Sequence, residues 1–77
     1  MIITPQIDEI TFDQNFMILH IHGKRMTVSL EQVSSKLTAA NEMQRLFYKI
    51  SPSGYGIHWP LIDEDLSVEQ LLKFAVG

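Results

Sequence analysis

The residues of this chain that could do chemistry are three histidines, a run of carboxylates and two serines around a proline. His20 and His22 are two apart, and side chains at i and i+2 of a strand share a face. That spacing could present two imidazoles to a metal, with the third ligand drawn from His58 or from Asp63, Glu64 or Asp65. Alternation along an amphipathic hairpin gives a plainer reading, in which both histidines face solvent. Ser51 or Ser53 could be combined on paper with His58 and Asp63 as a hydrolytic set. No strand–Gly-x-Ser-x-Gly–helix context supports it, and both serines fit a turn around Pro52. The absence of cysteine removes disulfides, thiol catalysis and thiolate metal sites. The expectation is a non-enzymatic chain without a cofactor.

A sharper cluster lies further along. Tyr55, Ile57 and Trp59 alternate on one face of a strand, leaving Gly56 and His58 on the other. Gly56, without a side chain, leaves room for a ring or another backbone to approach. Asp63, Glu64 and Asp65 follow directly. Their plain role is to favour the positive end of a helix beginning near Ser67. An aromatic pair rimmed by carboxylates also has the composition of a protein interface. The candidate partner-binding surface is therefore Tyr55, His58, Trp59, Asp63, Glu64 and Asp65, with Trp59 also the natural anchor of a small core.

These residues need elements to hold them. The first half reads as strands, over Gln6 to Phe12 and Phe16 to His22, separated by the turn-formers Asp13, Gln14 and Asn15. Gly23-Lys24 fits a type II′ hairpin turn with glycine first. That turn opposes Ile21 to Met26, His20 to Thr27, Leu19 to Val28 and Met17 to Leu30, so apolar meets apolar on one face. Ser29 and Gln32 suggest a capped helical turn. Thr38 is a second cap, for a helix of about three turns whose Ala40, Met43 and Phe47 form one buried stripe. Residues 48–50 suggest a strand, and Ser51-Pro52-Ser53-Gly54 has the signature of a type I turn. A strand over Tyr55 to Trp59 ends at Pro60, and Leu61 to Asp65 reads as a loop. Ser67 with Gln70 caps the last helix, Leu66 stapling to Leu71. The sum is an α+β fold: a small antiparallel sheet built from two hairpins, packed against two helices on one face.

With 77 residues the chain is one domain, 1–77. Chains this short bury only about 60% of their unfolded surface, so a homodimer is a natural way to bury more. The net charge is −3 and the six basic residues are scattered. Nucleic-acid binding draws on a basic footprint, so none is expected. Met1–Pro5 lacks the basic and apolar regions of a signal peptide. The longest apolar run is far short of the ~20 residues of a membrane span. A cytoplasmic protein without membrane contact is expected.

The run Gly54-Tyr55-Gly56-Ile57-His58-Trp59-Pro60, followed by Asp63-Glu64-Asp65-Leu66-Ser67-Val68 and Leu71-Leu72, resembles the bacterial domain-of-unknown-function family 2442. The Phe-x-Ile-x-x-x-x-Gly-Lys pattern of the first hairpin is similar, so the resemblance covers nearly the whole chain. It implies an α+β fold without an established activity. Some relatives carry an added helix-turn-helix domain, absent here, and many are encoded beside another small protein, which has suggested a toxin-antitoxin-like pairing. The family offers no catalytic residues. Its signature falls on Gly56, Ile57, His58, Trp59, Pro60, Asp63, Asp65 and Ser67. The leading expectation is a non-catalytic interaction module, the antitoxin-like member of such a pair, docking a small protein encoded by an adjacent gene. The alternative is a small metal- or ligand-binding protein using His20 and His22 with His58.

Overall fold

A computed structural model describes residues 7–76. The start expected at Gln6 and the reading of Met1–Pro5 lie outside the described residues. The elements run β1 (Ile7–Asp13), β2 (Phe16–Ile21), β3 (Lys24–Ser29), α1 (Leu30–Val33), α2 (Ser35–Ala39), α3 (Glu42–Leu46), β4 (Lys49–Ile50), β5 (Gly56–Trp59), β6 (Glu64–Ser67) and α4 (Val68–Phe74). The class is α+β. The strands form two antiparallel three-stranded sheets, β1-β2-β3 and β4-β5-β6, where one sheet of two hairpins was expected. The additional strand in the second sheet is β6: Glu64 and Asp65 lie in a strand opposite Trp59 and His58, not in a loop.

The β2–β3 hairpin forms, with a different turn. His22 (φ 50°) and Gly23 (φ 78°) are both left-handed, as a type I′ turn requires and a type II′ turn does not. The loop thus sits one residue earlier than predicted. Leu19 opposes Met26 rather than Val28, and Met17 opposes Val28 rather than Leu30. Each partner moves by two positions, an even number, so Met17, Leu19, Ile21 and Val28 still point inward and are buried. Left-handed backbone suits asparagine better than histidine. His22→Asn is expected to raise stability by about 0.5 kcal/mol, read as a rise in the urea midpoint at unchanged slope.

The middle of the chain departs further. Ser29 precedes α1 without a side-chain cap bond. Ser34, and not Thr38, caps α2 by accepting from the Leu37 amide at 3.0 Å. Ala40 is extended (ψ 150°), and Asn41 opens α3 with a reciprocal capping box to Gln44 at 2.8 and 2.9 Å. The single three-turn helix is therefore two short ones. The break turns Met43 and Phe47 of the predicted Ala40–Met43–Phe47 stripe outward, 69% and 50% exposed, with Leu46 beside them at 52%, while Ala40 stays half-buried.

One core joins both sheets. Ile10, Met17, Leu19 and Val28 of the first sheet pack with Leu30, Leu37, Ile57, Trp59, Leu66, Val68 and Leu71. The exposed sheet edges carry specific partners. The Ile10 amide, on the outer side of β1, donates to the Tyr48 hydroxyl at 3.1 Å. Thr27 of β3 exchanges two backbone hydrogen bonds with Val76, both 2.8 Å. The Asp65 amide of β6 donates to the Glu64 carboxylate at 3.0 Å. Among the described residues no helix is long and apolar enough to cross a membrane.

Candidate functional site

The second sheet is organised by its two turns. Gly54 donates to the Ser51 carbonyl at 2.8 Å, closing the predicted Ser51–Gly54 turn, and Gly54 is left-handed (φ 78°). This turn sets Lys49 opposite His58 and Ile50 opposite Ile57. On the other side His58 opposes Asp65, and Gly56 opposes Ser67. Lys49, His58 and Asp65 therefore form one row across three strands on the outer face, while Ile57 and Leu66 point into the core. A groove of about 520 Å³ lies on that face, bordered by Lys49, Ser51, Pro52, Gly56, His58 and Ser67.

His58 Nδ1 lies 2.8 Å from Asp65 Oδ1. An ionised carboxylate only accepts hydrogen bonds, so the His58 ring donates to Asp65 from Nδ1. The two side chains are 41% and 75% exposed. In that setting the pair contributes at most about 1 kcal/mol to stability, and its main effect is to orient the ring.

The other members of the predicted surface separate. Trp59 is fully buried. Its Nε1–H donates to the Arg45 carbonyl at 3.0 Å, and its ring lies 6.5 Å from that of Tyr48. It is a core anchor and offers nothing to a partner. Tyr55 is 51% exposed. The carboxylates at 63–65 do not sit at the start of α4 as predicted, because β6 intervenes. Glu64 instead accepts from the Ser34 hydroxyl at 2.6 Å, binding β6 to the cap of α2. Asp63 is left-handed (φ 52°), and its carbonyl accepts from Lys36 Nζ at 2.9 Å. Of the three carboxylates, two have partners within the chain.

The histidines do not assemble into a metal site. His20 stands in β2, where Nε2 lies 3.0 Å from Thr11 Oγ1. His22 occupies the hairpin turn, and its amide donates to Asp8 at 3.2 Å. His58 belongs to the other sheet. Among the described residues no three His, Asp or Glu side chains could hold a metal ion. The predicted serine pair is also accounted for locally: Ser51 Oγ accepts from the Gly56 amide at 3.1 Å and lies 3.1 Å from Ser53 Oγ. The acid on His58 is Asp65, not Asp63.

Two features escaped the sequence reading. Lys49 belongs beside His58, which counting outward from the predicted Ser51–Gly54 turn would have revealed. The exposed apolar face of α3 had no such signal, since the same residues read as a buried stripe.

Residues 7–77 match the model of a protein family of unknown function, DUF2442, and the chain belongs to that family. In fold it is similar to the crystal structure of a protein of unknown function from Rhodospirillum rubrum. That likeness has a TM-score of 0.70 at 24% identity, over 95% of this chain and 93% of the other. No curated protein matches the chain.

Proposed function

We propose that this protein is a non-catalytic interaction module of the cytoplasm that docks a small protein partner, as the antitoxin-like member of a toxin-antitoxin-type pair. The observation that carries the docking reading is the outward face of α3. Met43 and Leu46, on the five-residue helix, and Phe47, which caps its C-terminus, lie at least half exposed. Single exposed apolar residues are ordinary, but contiguous ones mark interaction sites. This helix is also held rigidly, by its capping box and by the Arg45 side chain, whose guanidinium donates to the carbonyls of Leu37, Thr38 and Gln14. A rigid apolar platform binds with a small entropic cost. Of the surface expected from the sequence, Trp59 is buried, and Tyr55, His58, Asp63, Glu64 and Asp65 lie on or beside the second sheet, which offers a second face to a partner.

The test is co-expression with the small protein encoded beside it, followed by affinity co-purification. Met43→Lys with Phe47→Lys is expected to abolish the complex. Both side chains face solvent, so thermal unfolding should change little. Retention of the complex by a folded double variant would exclude the α3 surface. Weakening by Tyr55→Ala together with Asp63→Ala would instead place the partner on the second sheet.

A further inference from the structure

Gly56 opens β5, in the middle of the second sheet, where β-branched or aromatic residues are favoured. A strand glycine usually answers a backbone or packing demand, and neither is present here. Its φ is not in the left-handed region, which among the described glycines is adopted by Gly23 and Gly54. A Cβ built on it would meet only Ser51 Oγ at 3.8 Å and the Leu66 carbonyl at 3.9 Å, which are ordinary contacts. What the missing side chain does is leave the floor of the groove open between Lys49, Ser51 and His58.

The groups around that opening have a consistent chemistry. Lys49 makes no hydrogen bond or ion pair among the described residues, and it opposes His58 across the β4–β5 ladder. Asp65 occupies Nδ1 from the β6 side, leaving Nε2 of His58 unpartnered on the groove. The rest of the lining is Ile50, Pro52, Ile57 and Leu66, with Ser51, Ser67 and Asp65 as its polar members, the Asp65 carboxylate being held against His58 Nδ1. We infer that the groove over Gly56 binds a small monocarboxylate with a short apolar body, its carboxylate held by Lys49 Nζ and its body resting over Gly56 beside the His58 ring. Mostly apolar concavities with a few convergent polar groups are the usual form of such sites. The charged groups facing His58 are Lys49 from β4 and Asp65 from β6. This ligand site is independent of the α3 docking surface.

The test is a titration of the whole chain with 3-phenylpropanoate, and separately with its neutral amide, followed by backbone amide NMR. The carboxylate is expected to shift the amides of Lys49, Ser51, Gly56 and His58 saturably. The amide should bind at least about tenfold more weakly. Lys49→Gln and Gly56→Val should each weaken the carboxylate by about tenfold or more. If Gly56→Val loses its dispersed spectrum, Gly56→Ala, whose methyl fits at ordinary contact distance, takes its place with the same expectation of weaker binding. Shifts that never saturate, equal binding of acid and amide, or undiminished binding by folded glycine and lysine variants would overturn the site.

Discussion

Trp59→Ala is expected to destabilise the protein by about 3–5 kcal/mol, the range for truncating a large buried aromatic residue. Trp59 is the largest of the fully buried side chains. It lies where β5 meets the Tyr48 ring and the Arg45 carbonyl, so its removal leaves a cavity and an acceptor without its donor. Small domains have total stabilities of roughly 5–15 kcal/mol, and this one, with its thin core, has little margin. Urea unfolding followed by far-UV circular dichroism measures the loss. Trp59→Phe separates the two contributions: it keeps most of the ring packing but abandons the indole donor, and should cost about 1–3 kcal/mol. A change below 1 kcal/mol for the alanine variant would contradict the packing described. Loss of binding in a Trp59 variant would therefore report unfolding before it reported an interface.

Arg45→Met is expected to cost about 2–3 kcal/mol. The guanidinium donates to Leu37 O at 2.9 Å and Thr38 O at 3.0 Å near the end of α2, and to Gln14 O in the β1–β2 turn. It also lies 5.8 Å from the centre of the Phe12 ring. Hydrogen bonds from a charged donor contribute more than neutral ones. Three together replace regular structure between α2, α3 and the first hairpin. Methionine preserves much of the stem packing, so the loss reports the fork itself. Arg45→Lys should restore less than half of it, because a single ammonium cannot span the three carbonyls in the fork's geometry. Full rescue by lysine, measured by thermal unfolding, would assign the effect to charge alone.

Local chemistry made parts of this fold legible in the sequence. The Ser51–Gly54 turn, the end of β5 at Pro60 and the Ser67 cap, which accepts from the Gln70 amide at 3.1 Å, depend on residues within a few positions of one another. The core face of the first hairpin was readable even though the turn was misplaced, because parity alone decides which side chains point inward. What could not be read depends on competition or distance. Thr38 and Asn41 both offer caps, and the choice of Asn41 rests on Gln44 reaching back to it. Glu64 joins a strand because Trp59 lies across from it and Ser34, thirty positions earlier in sequence, holds its carboxylate. His58 stood out in the sequence, but its acid partner depended on a strand the sequence presented as a loop.

The plugs along the sheet edges bear on how this chain behaves when it is abundant. Tyr48, Val76 and the Glu64 carboxylate each occupy backbone groups that a neighbouring molecule would need in order to add a strand. Growth by strand addition, the route to ordered aggregates, is obstructed at β1, β3 and β6. Encounters between copies are left to the two-residue edge strand β4 and to side chains, chiefly the apolar patch on α3, and contacts of that kind exchange readily and dissolve on dilution.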